Sequence, residues 1–329
     1  MSAAVRSNRW LAAAQWRSLF RDRPLIPLTG LLAILVAIIE LADPGIVNPS
    51  WVGVILRASV PLAILAGCQT LSMLTGGIDL SVGAVASMAG FVTATFVNSP
   101  GGAPLGIAVA LTAAVLAGLI TGIGVGVFRV HPLIMTLGMS FVVLGLANVW
   151  QLQMVQTGAG VPSGLRTLGS GLLFDVVPYS LLVFVPVMLL IMVGLRRSGY
   201  GRLLYAIGDN PVAARLSGAR AWQVLVVLYV ISALLAAIAG LVLSGLTNTA
   251  SVSLGDSSVL PSVAAAVIGG TSIMGGRGGY AGTIVGTLIL TVLTALLTVL
   301  GLPEATRQVV FGSIIVVVAA AYTRVTSES

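Results

Sequence analysis

The sequence predicts an all-α protein that crosses a membrane many times. Hydrophobic residues make up 57% of the 329 positions and charged residues only 8%. A soluble domain carries charge at about a quarter of its positions, so these charges are too few to cover a surface that faces water. Apolar runs recur from end to end, and the basic residues, all arginine, lie at the ends of these runs. We therefore expect most of the surface to face lipid.

Ten apolar segments are candidate membrane helices, because a helix needs roughly 20 apolar residues to cross a hydrocarbon core of about 30 Å. They are Leu25–Ala42, Val52–Thr75, Val82–Val97, Leu105–Phe128, Leu133–Val155, Tyr179–Leu195, Trp222–Ser244, Val259–Met274, Gly282–Leu300 and Val309–Tyr322. The third and eighth are short for a full crossing. We expect one membrane domain over residues 25–323. A basic amphipathic segment over 1–24 and a tail over 324–329 are predicted to be cytoplasmic.

The arginines predict the orientation. If the N-terminus is inside, ten crossings leave only Arg57, Arg166 and Arg307 outside and place the other thirteen of the 16 basic residues in the cytoplasm. This bias follows the positive-inside rule. Both termini are therefore predicted to be cytoplasmic.

A polar break separates the second and third candidate helices. Gly76 and Gly77 interrupt the helix, and Asp79 with Ser81 can cap the helix that follows. Unwound backbone at membrane depth is tolerated only where protein or a water-filled cavity satisfies it. Gly76, Gly77, Asp79, Ser81 and Gly83 are thus candidates for a solute path, although an ordinary helix cap at the inner surface explains the pattern equally well.

A second unusual run, Ala266–Gly282, holds seven glycines in seventeen positions. Glycine lets membrane helices pack closely, so close helix packing is one interpretation of this run. The other is a contribution to the solute path from Gly269, Gly270, Thr271 and Ser272. A phosphate-binding loop of the usual form is excluded, because the chain contains no lysine.

The longest charged loop is Arg196–Arg220. Asp209 or Asn210 can cap a short helix that begins at Pro211, and Gly218 can end it. A short helix parallel to the membrane, flanked by glycine and arginine, suits docking to a soluble partner. A solvated loop whose arginines only set the topology is the alternative.

An inverted repeat is a further hypothesis. Spans two to five and spans seven to ten run in opposite senses, and each set contains a short element preceded by an aspartate and serines. These are Asp79 with Ser81, and Asp256 with Ser257 and Ser258. Inverted repeats of this kind place solute paths at their interface.

Three motifs in order resemble the permease subunits of ribose-type, monosaccharide-importing ABC transporters. They are GGIDLSVGAV at Gly76–Val85, AIGDNPVAARLSGA at Ala206–Ala219, and AAAVIGGTSIMGGRGGYAGTIVG at Ala264–Gly286, with RQVVFG at Arg307–Gly312 following at family-like spacing. The resemblance spans roughly residues 48–322. Many relatives carry an acidic residue ahead of the third motif, where this chain reads Ser258-Val259-Leu260-Pro261, so the substrate preference of better-known members does not carry over.

The resemblance implies a type II-like importer permease of about ten helices in the bacterial inner membrane, working as a homo- or heterodimer. It implies no cofactor on this chain, since ATP and Mg²⁺ belong to a separate cytoplasmic ATPase, and a periplasmic or lipid-anchored protein delivers the solute. Nucleic acid is not an expected partner, whereas lipid is. The ATPase would dock on the loop residues Tyr205, Ala206, Gly208, Asp209, Asn210, Pro211, Ala213, Ala214, Arg215 and Gly218.

The predicted function is therefore import of a monosaccharide or related small polar solute by alternating access, without chemistry on the solute. A branched-chain amino acid or autoinducer ABC permease is the nearest alternative. A stand-alone ion-coupled carrier is a rival of another class, and only Glu40, Arg57 and Asp79 are candidate coupling groups for it. A membrane enzyme is disfavoured because the chain lacks a His, Cys or paired-carboxylate cluster.

Overall fold

The computed structural model describes residues 25–154, 160–303, 305–310 and 312–313. These residues form α1 Leu25–Ala42, α2 Pro49–Leu74, α3 Val82–Thr95, α4 Gly102–Gly126, α5 Pro132–Met154, α6 Ser163–Ser170, β1 Leu172–Leu173, β2 Val177–Pro178, α7 Leu181–Arg197, α8 Gly199–Asp209, α9 Pro211–Leu216, α10 Ala221–Thr247, α11 Asp256–Ile268 and α12 Tyr280–Val299. Residues 305–310 are also helical. The two short strands pair as an antiparallel hairpin, with Leu172 opposite Pro178. The fold is otherwise helical, as predicted.

Six helices in the described part of the chain are long and apolar enough to cross a membrane: α1, α2, α4, α5, α10 and α12. Together α7 and α8 also pass this test, but they are bent by 69° where they meet. The helices α3 and α11 are apolar and shorter. The prediction of an all-α chain with several membrane spans is confirmed. Most of the predicted tenth span, Val309–Tyr322, lies outside the described residues, as do the segments 1–24 and 324–329.

The two short helices end earlier than predicted. Helix α3 stops at Thr95 rather than Val97, and α11 stops at Ile268, six residues before the predicted end at Met274. The second difference has a local cause. Gly270 has a φ of +88°, and its backbone N–H bonds to the carbonyl oxygen of Val267 in a turn, so the helix cannot continue.

Helix α10 lies at the centre of the bundle, where it packs against α2, α3, α4 and α6. Small residues permit this close approach, as they commonly do between membrane helices. A Cβ atom on Gly122 of α4 would lie 2.6 Å from the Cα of Val226, and one on Gly240 would collide with the backbone of Ala86. By contrast, the outer helices expose large apolar side chains such as Ile34 on α1 and Phe141 on α5. These surfaces suit contact with lipid.

The two ends of α2 identify the two ends of the bundle. At its N-terminal end, Nη1 of Arg57 donates to the carbonyl oxygen of Ser170 at the end of α6, the helix that carries Arg166. At its C-terminal end, Leu74 accepts a hydrogen bond from Gly276, beside Arg277. Helix α6 and the β1–β2 hairpin lie between predicted spans five and six. We call them the α6–hairpin unit. Arg57 and Arg166 lie at one end and Arg277 at the other, which is the grouping that the arginine pattern predicted.

Candidate functional site

The three sequence motifs meet at one point of the fold. A Cβ atom on Gly275 would lie 2.8 Å from the carbonyl oxygen of Gly208 and 3.0 Å from the amide nitrogen of Gly76. The N–H of Gly276 donates to the carbonyl oxygen of Leu74 at 3.0 Å. The helix break, the charged loop and the glycine-rich run therefore touch through backbone atoms, although more than 60 residues separate each from the next in sequence.

Glycines form the break for two different reasons. Helix α2 ends at Leu74, and Gly76 turns the chain with a φ of +79°, a conformation that other residues rarely adopt. A side chain at Gly77 would be crowded, because a Cβ atom there would lie 3.0 Å from Cβ of Pro132 and 3.2 Å from the hydroxyl oxygen of Tyr229. The prediction that these two glycines interrupt the helix is confirmed.

Side chains from α2 and α5 hold the unwound backbone that follows. Gln69 donates through Nε2 to the carbonyl oxygen of Asp79 at 2.8 Å, and its Oε1 accepts from the Asp79 N–H at 3.2 Å. Thr136 accepts at Oγ1 from the Leu80 N–H at 3.1 Å and donates to the carbonyl oxygen of Ile78 at 3.2 Å. The backbone of this segment is thus satisfied by protein groups, as buried backbone must be.

The Asp79 carboxylate points into this packed region. It is 2% exposed. One oxygen, Oδ1, accepts from the Ser81 hydroxyl at 2.6 Å and the Ser81 N–H at 3.0 Å, and Oδ2 accepts from the Ser232 hydroxyl at 2.7 Å. Asp79 does accept an N–H at the start of α3, but the predicted capping role of Ser81 is wrong. Its hydroxyl is directed to the carboxylate and makes no cap bond to α3.

Four polar residues of this region were missed from the sequence: Gln69, Thr136, Tyr229 and Ser232. Each sits inside an apolar span, which is the signal that marks such residues as candidates. The hydroxyl of Tyr229 is buried with no hydrogen-bond partner among the described residues. It lies beside Gly77, on the helix that also supplies Ser232. Tyr229 and Ser232 thus bring α10 to the break.

The candidates Gly83 and Gly269 lie at close helix contacts. A Cβ atom on Gly83 would lie 2.9 Å from the carbonyl oxygen of Gly255, and the Gly255 N–H donates to Oγ of Ser87 at 2.8 Å. The N-terminal ends of α3 and α11 therefore touch. A Cβ atom on Gly269 would lie 2.6 Å from the Cα of Thr283 on α12. These contacts match the close-packing interpretation of the glycine-rich run.

The rest of that run forms a turn. Gly270 is exposed, whereas Thr271 and Ser272 are buried. The Thr271 N–H donates to the carbonyl oxygen of Ala266 at 3.0 Å, and the Ser272 N–H to that of Arg277 at 2.9 Å. The turn brings Gly275 and Gly276 against Gly208, so the motif contacts the charged loop through residues that lie beyond those first proposed.

The charged loop consists of two helices where one was predicted. Tyr205, Ala206, Gly208 and Asp209 belong to α8, and α9 covers only Pro211–Leu216. Asn210 is the cap, because its Oδ1 accepts from the N–H groups of Val212 and Ala213 at 3.0 Å each. Gly218 has a φ of +88° just after α9, as the predicted helix end requires. The predicted short helix is therefore confirmed, with Asn210 as its cap, Pro211 as its first residue and its end before Gly218, whereas α8 was not predicted.

Helix α9 presents an exposed surface. Val212, Arg215 and Leu216 are exposed, and Leu216 keeps 85% of its surface accessible, whereas Ala214 is buried. A cavity of about 640 Å³ lies beside them and is lined by Asp209, Asn210, Ala213 and other loop residues. A second contact ties this surface to the glycine-rich run, because the Tyr205 hydroxyl donates to the carbonyl oxygen of Gly278 at 2.9 Å.

The three groups that could couple an ion to transport in a stand-alone carrier each form hydrogen bonds that stabilise the local structure. Glu40 accepts from the N–H groups of Gly45 at 2.8 Å and Val47 at 3.1 Å, in the turn after α1. Arg57 anchors the end of α6, and Asp79 is bound by Ser81 and Ser232. Each group therefore has a structural role that accounts for its presence.

Comparison with known proteins identifies the family. A family model described as the permease component of the branched-chain amino acid transport system matches residues 51–319. The chain belongs to this family of ABC transporter permeases. This permease is therefore a multi-pass membrane protein and not an enzyme, since ATP hydrolysis belongs to a separate subunit. The resemblance drawn from the three motifs is confirmed.

Several curated relatives align with most of this permease. It is 33% identical to the ribose import permease of Bacillus subtilis (strain 168) over 291 residues, which cover 88% of this chain and 90% of the relative. It is 31% identical to the fructose import permease of Rhizobium meliloti, with coverage of 90% and 84%. It is 34% identical to the galactofuranose transporter permease of Escherichia coli (strain K12), with coverage of 78% and 74%. No solved structure matches the chain significantly.

Proposed function

We propose that this permease imports a monosaccharide or a related small polar solute across the bacterial inner membrane by alternating access. The observation that supports this proposal is that the break, the charged loop and the glycine-rich run meet at Gly208. ATP and Mg²⁺ are held by two cytoplasmic ATPase subunits, and this chain binds no cofactor of its own. A solute-binding protein, periplasmic or lipid-anchored, delivers the solute, and a second permease copy completes the membrane unit.

The contact at Gly208 supplies the coupling. The ATPase docks on the exposed surface of α9 and the neighbouring end of α8. Because Gly208 has no side chain, its backbone lies directly against Leu74 and Gly276. Packed backbones do not compress, so a displacement of α8 moves the end of α2 and the start of the break with it. Tyr205 and Gly278 provide a second, parallel link.

The polar groups near the break favour an uncharged solute. They are hydroxyls, amides and backbone groups, which match the hydroxyls of a sugar. The description of the family names branched-chain amino acids, which carry an ammonium and a carboxylate group. The one buried carboxylate of this region, Asp79, is already bound by Ser81 and Ser232. The names of the three relatives also favour a sugar.

Helix packing supports an inverted repeat within the ten spans that we propose. Helix α2 packs against α11 and α12, and α10 packs against α3 and α4. Helices α3 and α4 contact each other, as do α11 and α12. Suppose that α2, α3 and α4 are replaced by α10, α11 and α12 respectively, and the reverse. Each contact named above then becomes another contact in the same set. With both termini cytoplasmic, the α8–α9 surface faces the ATPase and the α6–hairpin unit faces the binding protein.

Reconstitution tests the function. The permease in proteoliposomes with its ATPase and binding protein is expected to accumulate D-ribose, D-fructose or another monosaccharide only when ATP is present on the ATPase side. The permease alone is expected to accumulate none. Sugar accumulation by the lone permease would overturn the proposal, as would uptake of leucine in place of every sugar tested.

Charge reversal at Arg215 tests the docking surface. Arg215→Glu is expected to reduce co-purification of the ATPase about tenfold, because it places a carboxylate in the centre of the proposed contact. Arg166→Glu, at the opposite end of the bundle, is the matched control. Both guanidinium groups donate from Nε to a nearby carbonyl oxygen, at 3.0 Å to Pro211 and 3.1 Å to Val161. Equal ATPase recovery with the two variants would place docking elsewhere.

A further inference from the structure

A groove with a largely apolar surface and a row of hydroxyl groups lies between α2, α11 and α12, at the end of the bundle away from Gly208. Its volume is about 520 Å³, and no charged side chain among the residues that the structure describes lines it. One face of α2, from Trp51 to Leu62, forms its apolar wall. Its polar and aromatic lining consists of Trp51, Ser257, Ser258, Thr291, Thr294 and Thr298. We call it the threonine groove.

The threonines belong to a longer row on α12. Thr283, Thr287, Thr291, Thr294 and Thr298 recur at spacings of four, four, three and four residues, which keeps them within about 80° of the helix circumference. The first two are buried, the next two half-buried and the last exposed. Oγ1 of Thr283 also bonds to Oγ1 of Thr70 on α2 at 2.7 Å. The row therefore runs from the packed interior, near Gly269, to the mouth of the groove.

These hydroxyls keep acceptor capacity for a ligand. From Thr287 onward each donates to the carbonyl oxygen four residues earlier, at 2.7–2.9 Å. That bond uses the single proton and leaves the oxygen able to accept. Pro261 adds a backbone acceptor, because it has no N–H to bond the carbonyl oxygen of Ser257 four residues earlier. At the rim, Trp51 offers a flat apolar ring with one donor.

We infer that the threonine groove is the entry site at which an uncharged, polyhydroxylated solute the size of a monosaccharide leaves the binding protein and enters the permease. The inference deepens the proposed function and rests on it. Neutral acceptors with an aromatic rim match sugar hydroxyls. The solute-path residues predicted from the sequence, at the break and in the glycine-rich run, lie closer to the α8–α9 surface than the groove does.

Cysteine labelling tests access to water. The single native cysteine, Cys68, is fully buried and gives a low background. Thr294→Cys in the complete importer is expected to react with a membrane-impermeant, positively charged methanethiosulfonate added on the binding-protein side. Thr112→Cys is the matched control, because Thr112 is exposed on α4 and also donates to the carbonyl oxygen four residues earlier, at 2.8 Å. We expect Thr294→Cys to react at least about tenfold faster, since a charged reagent is excluded from lipid.

Equal rates at positions 294 and 112 would overturn the inference, because the groove would then face lipid. Labelling of the isolated permease that disappears in the complete importer would also overturn it, since a neighbouring subunit would then fill the groove. Labelling is independent of the transported solute. If the wild-type importer accumulates no sugar, the proposed solute class fails while the labelling still decides whether the groove is an aqueous entry.

Removal of the hydroxyls tests their contact with solute. The double variant Thr291→Val/Thr294→Val is expected to lower uptake of D-ribose or D-fructose, whichever the wild type accumulates, about 2- to 10-fold at low concentration, with membrane insertion and ATPase binding retained. Thr112→Val is expected to transport as the wild type does. Unchanged uptake by the double variant, beside an active wild type, would overturn the inference.

Discussion

Replacement of Gly208 by alanine is expected to reduce ATP-dependent uptake about tenfold or more. The new Cβ would collide with the carbonyl oxygen of Leu74 and lie 2.6 Å from the amide nitrogen of Gly276. Backbone atoms cannot rotate away as a side chain does, so α8 must shift from the end of α2. Overpacking of this kind costs about 1–3 kcal/mol, and about 1.4 kcal/mol corresponds to a tenfold change. Uptake by reconstituted complexes measures the effect.

The direction of the change in uptake distinguishes loss of the backbone contact at Gly208 from a change in the stability of α8. Alanine is the better helix former by about 1 kcal/mol, so the substitution should strengthen α8 considered alone. Gly194→Ala in α7 is the control, because a Cβ atom there meets nothing within 4 Å. We expect this control to transport normally. Normal uptake by Gly208→Ala would show that the backbone contact does not carry the coupling.

Replacement of Asp79 by alanine is expected to destabilise the permease by about 3 kcal/mol, since each lost hydrogen bond contributes about 0.5–1.5 kcal/mol and a buried partner left unpaired costs about 1–3 kcal/mol. The bonds from Ser81 and Ser232 would be lost in a buried site. Asp79→Asn keeps the shape and one acceptor oxygen, so its loss should be smaller. The midpoint of thermal unfolding in detergent orders the three proteins.

Asp43→Ala is the control for this series, because Asp43 is an exposed carboxylate in the turn after α1. Its unfolding midpoint should equal that of the wild type. If Asp79→Ala also unfolds at the wild-type temperature, then Asp79 does not hold the break to α10. Ser232→Ala, which removes one of the same bonds from the other side, should reproduce part of the loss.

Two helix boundaries were accessible to sequence reasoning because their causes are local. Gly76 takes a φ angle that glycine tolerates, and Asn210 with Pro211 starts α9 by chemistry within three residues. The end of α11 was misplaced because apolar residues continue past Gly270, and hydropathy alone does not register a turn. Helix α8 was not predicted, whereas the start of α9 at Asn210 and Pro211 was.

The residues around the break were less accessible, because their partners are remote in sequence. Asp79 and Ser232 are 153 positions apart, and Leu80 and Thr136 are 56 apart. Nothing in the local pattern of α5 or α10 indicates which polar side chain faces which segment. Tyr229 and Ser232 lie within an apolar span of the sequence, and packing brings both to the break.

The sequence alone determined that this chain is a helical membrane permease of the ABC importer type, because hydropathy, arginine placement and the three motifs depend only on residue identity and spacing. The tertiary structure decided that the three motifs meet at Gly208, that Asp79 faces Ser81 and Ser232, and that the threonines of α12 open into a groove. These facts depend on how remote helices pack. How closely two helices approach depends on the shapes of both helices, and the sequence of one helix specifies only its own shape.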